Sequence, residues 1–175
     1  HFFSPVDKMP LVEIIVGEKT SDATLARGFD YVLQIGKTPI VVNDKRGFYT
    51  SRVFTTYIME GMAMLGEGVH PRSIEVAGLK AGMPMPPLAL QDEVSLSLSL
   101  YIAETTKKDL AAEGITLPVH PGFAVVQKVG GELKRIGKKA NQGFYDYAGK
   151  EKSLWPGLLE VYPPKADQPS QQEIV

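Results

Sequence analysis

Two residue types capable of acid–base work stand at the head of the chain. His1 leads into Phe2 and Phe3, and Glu13 sits in the middle of Leu11-Val12-Glu13-Ile14-Ile15-Val16. In an extended strand Leu11, Glu13 and Ile15 share one face and Val12, Ile14 and Val16 the other, so the carboxylate is surrounded by apolar neighbours. A lone carboxylate buried there is strongly unfavourable unless something pairs with it. Two readings fit: an exposed glutamate on an edge strand, or a buried carboxylate holding a histidine, fixing its tautomer and stabilising the imidazolium. His1 is the candidate partner, and the aromatic residues beside it point to a partly desolvated setting; the bland alternative is a terminal residue with no role. His70 and His120 each precede a proline in loop-like sequence and read as surface residues. With no cysteine in the chain, disulfides, thiolate nucleophiles and zinc–thiolate sites are excluded.

The elements that must position these groups follow from pattern. Met9–Val16 is rich in β-branched residues and ends at Gly17, the signature of a strand. Thr20-Ser21-Asp22 offers a helix N-cap, with Leu25, Phe29, Val32 and Leu33 at helical spacing and Gly36 as the stop. Residues 39–43 form a second short strand. From Gly47 a long helix is expected, weakened by Gly61 and ended by Gly66-Glu67-Gly68; Pro71 opens the next. Prolines make 82–87 non-helical. Val94–Leu100 alternates like a strand, but the flanking residues favour helix over 88–113, and helix is the expectation. Residues 121–129 form a short helix, 137–143 a polar loop, and 155–161 a last helical turn. Residues 163–175, rich in Pro, Gln and Ser, read as a tail.

The chain is long enough, at 175 residues, to bury a substantial core, and its 43% hydrophobic and 22% charged content is that of an ordinary globule. A net charge of −1 offers nothing to nucleic acid or an anionic membrane. No stretch approaches the roughly 20 apolar residues of a membrane span, and the start lacks the features of a signal peptide. A histidine start in mid-pattern suggests a piece of a longer protein.

Four blocks in order carry a family resemblance: His1-Phe-Phe-Ser-Pro5 with Lys8–Ile15; Gly36–Val42 leading to Asp44-Lys-Arg-Gly-Phe-Tyr-Thr-Ser-Arg52; Gly82–Val94; and Gly137–Tyr147. Together they resemble the C-terminal domain of the 3-hydroxyacyl-CoA dehydrogenases, most of all that of the α subunits of multifunctional fatty-acid β-oxidation complexes. The resemblance implies a mainly α fold, the helical domain of the 6-phosphogluconate-dehydrogenase-like type, with one or two short strands at its N-terminus. It assigns 1–147 to that substrate and dimerisation domain and 148–175 to a terminal segment or linker. It implies oxidation of a 3-hydroxyacyl-CoA, with NAD bound mainly by a preceding Rossmann domain of the same parent chain; no G-x-G-x-x-G follows a strand here. His1 matches the family's catalytic histidine, Glu13 its orienting glutamate, and Ser51 a substrate-contacting position that is often asparagine.

The same resemblance implies an acyl-CoA substrate, a homodimer or pairing with a similar domain, and a bacterial cytoplasmic setting, with the mitochondrial matrix as the alternative. Met83 and Met85 could line an acyl channel or simply pack in the core. Lys134, Arg135, Lys138 and Lys139 could meet CoA phosphates or be solvated. Two rivals stay open: a non-catalytic helical module that binds acyl-CoA or oligomerises, and the helical domain of a dehydrogenase acting on a different hydroxy acid.

Overall fold

The computed structural model describes residues 1–116 and 118–175. Its contacts divide it into two units, His1–Thr55 and Thr56–Val175, with the boundary inside one helix.

The first unit is a β-α-β element. Strand β1 (Leu11–Val16) pairs in parallel with β2 (Thr38–Asn43), Glu13 opposite Ile40, and helix α1 (Asp22–Gln34) makes the crossover that parallel pairing demands. Ser21 caps α1, its hydroxyl accepting from the Thr24 amide, and the chain leaves it through Gly36 at φ +71°. The opposite edge of β1 is also occupied. Phe2 bridges Val12 in antiparallel sense, and His1 and Glu13 exchange both backbone hydrogen bonds at 2.8 and 3.1 Å. β1 is therefore not the free edge strand of the bland reading.

Helix α2 spans Thr50–Gly66 and starts three residues later than its sequence pattern suggests. Gly47 and Phe48 both take positive φ, +74° and +45°, which no right-handed helix accommodates.

In the second unit the remainder of α2 is joined by α3 (Pro71–Lys80), α4 (Pro87–Val94), α5 (Leu96–Ala112) and α6 (Gly122–Val126), which runs into a π-helical turn over Gln127–Glu132. Ile58, Met62, Leu65, Ile74, Leu88, Leu96, Val126, Val129, Phe144 and Leu158 fill the core. Gly61 does more than weaken α2: a Cβ there would lie 2.6 Å from Pro87, so its absence lets the start of α4 approach. The strand-like alternation of Val94–Leu100 is helical, as expected from its flanks. Leu96 and Leu100, one turn apart, both lie against Gly130, while Leu98 between them is 46% exposed. The break between α4 and α5 falls at Ser95, φ +79°.

The C-terminal stretch differs most from expectation. An antiparallel hairpin, β3 (Tyr145–Ala148) with β4 (Glu151–Leu154), turns through Gly149-Lys150, and two short helices follow, α7 (Leu158–Val161) and α8 (Gln171–Ile174). Residues 148–175 therefore carry more structure than the terminal segment or linker expected; the helical turn expected at 155–161 is α7, while the hairpin and α8 were not anticipated. Gln168 accepts from the His70 amide at 2.8 Å and donates to Gly68 O at 2.9 Å, and α8 packs on α3. Long-range side-chain-to-backbone bonds of this kind hold an apolar-poor segment without a hydrophobic stripe to announce it. The fold is mainly α, with two two-stranded sheets rather than only strands at the N-terminus.

Candidate active site

The antiparallel pairing of residues 1 and 13 decides where their side chains go. Directly opposed residues project to the same face with Cβ atoms about 5 Å apart, close enough for a histidine and a glutamate to meet. His1 Nδ1 lies 2.6 Å from Glu13 Oε2. The Glu13 side chain is fully buried, that of His1 34% exposed.

Glu13 is held from a second direction. Its Oε1 accepts from the backbone amides of Tyr49 at 3.0 Å and Thr50 at 2.8 Å, the amides that open α2. These are donors a helix start leaves without intrahelical partners, and the helix dipole there favours negative charge. With two amides on Oε1, an ionised Glu13 can only accept, which places the proton of the short bond on Nδ1 of the ring. In the neutral ring that tautomer leaves Nε2 with its lone pair.

Two aromatic rings flank the imidazole. Phe3 lies 4.6 Å and Phe48 5.6 Å away between ring centroids, both tilted by about 50°. They restrict the ring's rotation and partly desolvate it, while its partial exposure leaves a path for a reacting group. Such a site can take a proton from an alcohol at Nε2 and return it.

Ser51 is half-buried in the first turn of α2, one residue beyond the Thr50 amide that binds Glu13. Met83 and Met85 are half-buried in the loop before α4, where Tyr57 Oη donates to Met85 O at 3.0 Å. Of the basic cluster, Arg135 donates to Gly143 O at 2.7 Å, pairs with Asp146 and stacks 4.2 Å over Trp155, while Lys138 pairs with Glu93. These two cations bind the protein's own groups, as structural residues do.

Sequence reasoning missed the Tyr49 and Thr50 amides and the Phe48 ring; the Gly47-Phe48 pair was their only local signal. It also missed a buried polar network in the second unit. Glu75 accepts from the Leu88 amide at 2.8 Å, the Ala89 amide at 3.3 Å and the Tyr145 hydroxyl. Asp92 accepts from the Phe144 and Tyr145 amides, both at 2.9 Å, and from the Tyr147 hydroxyl at 3.0 Å. Burial raises both carboxyls above their ordinary range, against the pull of those donors. Every acceptor here is engaged, so this network fastens the hairpin to α3 and α4. Among the described residues no group of three or more His, Asp or Glu side chains could hold a metal ion, and no helix is long and apolar enough to cross a membrane.

Residues 47–147 match the model of the 3-hydroxyacyl-CoA dehydrogenase C-terminal domain, and residues 1–45 match that of the NAD binding domain of the same family. The stretch 1–147, expected to be one domain, is thus shared between two family models, with the β-α-β element under the NAD-binding one. Over 87% of its length the chain is 39% identical to a fatty acid oxidation complex subunit alpha from Shewanella halifaxensis. It spans only about a fifth of the length of the curated relatives it matches. Among solved structures, the (S)-3-hydroxybutyryl-CoA dehydrogenase of Ralstonia eutropha aligns over 85% of this chain and 51% of its own, at 33% identity and a TM-score of 0.71. The 3-hydroxybutyryl-CoA dehydrogenase of Escherichia coli K12 aligns over 88% of this chain and 32% of its own, at 29% identity and a TM-score of 0.72. With more than half of its length under the C-terminal domain model, the chain belongs to the 3-hydroxyacyl-CoA dehydrogenase family.

Proposed function

We propose that this chain supplies the proton-transfer half of an NAD-dependent oxidation of a 3-hydroxyacyl-CoA to the 3-ketoacyl-CoA, within fatty-acid β-oxidation. The observation that carries the reading is the 2.6 Å contact between His1 Nδ1 and a fully buried Glu13. Nε2 of His1 takes the proton of the C3 hydroxyl as the C3–H bond breaks. Glu13, fixed by two amides, stabilises the imidazolium so formed and keeps the ring turned for the return transfer. NAD, when bound, accepts the hydride. No G-x-G-x-x-G follows a strand in this sequence, and we assign the cofactor's pyrophosphate to a Rossmann domain of the same parent chain. General-base catalysis of this kind contributes about 10² to 10⁴ in rate. The Ser51 hydroxyl, at the start of α2, contacts the acyl substrate.

The helical unit is of the 6-phosphogluconate-dehydrogenase-like type and serves substrate binding and self-association. The self-association is supported by α5, which leaves Leu98, Tyr101 and Ile102 between 46% and 68% exposed along one side. A bacterial cytoplasmic setting is supported by the bacterial source of the relatives.

The test is NADH formation by the full-length polypeptide carrying this chain, with 3-hydroxybutyryl-CoA, a longer 3-hydroxyacyl-CoA and free 3-hydroxybutyrate as substrates. The CoA esters are expected to react and His1→Ala to lower kcat at least about 100-fold. Equal kcat/KM for the free acid would move the protein to another hydroxy-acid class. An unimpaired His1→Ala would remove the chemistry altogether.

A further inference from the structure

The Glu13 carboxylate receives two consecutive backbone amides, and something must aim them. The chain leaves β2 at Asn43, and Lys45 O accepts from the Phe48 amide at 2.8 Å, closing a four-residue turn. Its third residue, Gly47, has φ +74°, the value a type II turn requires there. Phe48 then takes φ +45°, an uncommon conformation for a bulky side chain. Helix α2 begins two residues later. Two successive left-handed residues reverse the chain so that the amides of Tyr49 and Thr50 both point at Glu13 Oε1, and the Phe48 ring comes to lie against the His1 imidazole. A single loop thus touches both members of the pair, the carboxylate through backbone and the imidazole through a side chain.

We infer that Gly47 and Phe48 are positioning residues for the His1–Glu13 pair, the unusual backbone at 47–48 being retained because it sets the carboxylate's orientation and the ring's rotation. Backbone held in sparsely populated regions persists only where the surroundings over-determine it, and it concentrates at working sites. The inference rests on the catalytic reading of the pair. Neither residue needs to touch substrate. Gly47 acts through the turn, Phe48 through the turn and the ring.

Two substitutions at Gly47 separate the turn from mere bulk. Asparagine and valine both add a Cβ, which would lie 3.2 Å from the flexible Arg52 Cγ. Asparagine tolerates positive φ, whereas β-branched valine does not. At position 48, Phe48→Tyr keeps the ring and Phe48→Leu removes it. In the full-length polypeptide, Gly47→Asn and Phe48→Tyr are expected to keep kcat within about threefold. Gly47→Val is expected to lower kcat by about 10- to 100-fold, the scale of a misplacement near 1 Å, and Phe48→Leu by about tenfold, both with KM within about threefold.

An independent readout is the tautomer of 15N-labelled His1. Wild type and the tolerated variants should hold the proton on Nδ1, and Gly47→Val and Phe48→Leu should populate the Nε2-protonated form. If Gly47→Val fails to fold, Phe48→Leu with its tautomer measurement decides alone. Equal effects of valine and asparagine, or an unchanged tautomer in Phe48→Leu with wild-type kcat, would overturn the inference. Glu13→Gln, run alongside, distinguishes the two failures: if it too leaves kcat unchanged, the catalytic reading falls rather than the positioning role.

Discussion

Replacing Glu13 with glutamine tests the pair most directly, because the structure decides how the amide must sit. Glutamine keeps the shape but offers one carbonyl oxygen and one NH₂ in place of two acceptors. If the NH₂ faced Tyr49 and Thr50, two buried amides would meet a donor and lose their partner, costing about 1–3 kcal/mol each. If the carbonyl oxygen stays on those amides, at the 3.0 and 2.8 Å positions of Oε1, the NH₂ lands 2.6 Å from His1 Nδ1. That orientation loses no amide bond and asks only that Nδ1 become an acceptor, so it wins. The ring proton then moves to Nε2, the atom that receives the substrate's proton in the proposed mechanism, and that base is blocked. Exchanging one charge-assisted bond for a neutral one costs only about 1–2 kcal/mol of stability. The loss of general-base catalysis should lower kcat by about 10² to 10⁴, or about 3–5 kcal/mol of barrier. Steady-state NADH formation, thermal unfolding and the 15N shifts of the His1 ring measure the three quantities. A variant that keeps kcat within twofold, or whose ring remains protonated on Nδ1, would refute the argument.

Further outcomes follow from other contacts. Gly143→Ala would place a Cβ 2.0 Å from Asp92 Oδ1 and prise the hairpin from α4; a loss of about 2–4 kcal/mol is expected by urea unfolding. The Glu75 carboxyl is raised by burial above its ordinary 4.5, so the folded state holds that proton more tightly than the unfolded chain. Its stabilising contribution is therefore full below pH 4.5 and is lost as the pH climbs through the raised value. Glu75→Gln should accordingly be destabilised most in acid, and the gap in Tm to wild type should narrow as the pH rises above 4.5; a constant gap would contradict the direction of the shift. The 175-residue chain by itself should form no NADH from 3-hydroxybutyryl-CoA, since no G-x-G-x-x-G follows a strand in it, and measurable turnover by it would contradict that.

What sequence disclosed and what it withheld divide along physical lines. The β-α-β element was legible because β-branched runs, a Ser cap and a Gly stop are local signals that tertiary contacts did not override. Glu13 was conspicuous because a charge in an apolar strand demands a partner. Whether the partner was His1 depended on residues 1–2 pairing along the edge of β1 opposite β2, a non-local choice that periodicity does not encode. The turn at 47–48 hid inside the long helix expected from Gly47, and only the backbone angles show that the helix begins at Thr50. The hairpin and the C-terminal segment were withheld for a different reason. They are fastened by Asp92, Arg135 and Gln168, single polar side chains bonded to distant backbone, which leave no hydrophobic pattern near the residues they hold. The Gly143-Phe144-Tyr145 block gains its physical meaning here: glycine makes room for the Asp92 carboxylate that the next two amides bind.

A histidine beside a carboxylate is not in itself a base, and the other two histidines show why. His120 Nε2 lies 3.1 Å from Glu60 Oε1, a pairing similar at first sight to that of His1. Yet His120 Nδ1 accepts from the Gly122 amide at 3.2 Å, so Nδ1 must be bare and Nε2 must carry the proton it gives to Glu60. Both nitrogens are spent, and the ring serves the start of α6. His70 likewise uses Nδ1 to accept from the Arg72 amide at 3.2 Å as the cap of α3, which places its proton on Nε2. Only at His1 does the carboxylate take the Nδ1 proton and leave Nε2 as a lone pair on a partly exposed ring. The distinguishing quantity is the nitrogen that is engaged. It is set by whether the neighbouring backbone presents an amide to the ring, as at Gly122 and Arg72, or presents its amides to the carboxylate, as Tyr49 and Thr50 do. Converting His120 into a base would require removing an amide donor from the α6 N-terminus. At His1 the neighbouring amides of Tyr49 and Thr50 go to Glu13 instead, and Nε2 of the neutral ring is left unspent, as the proposed base requires.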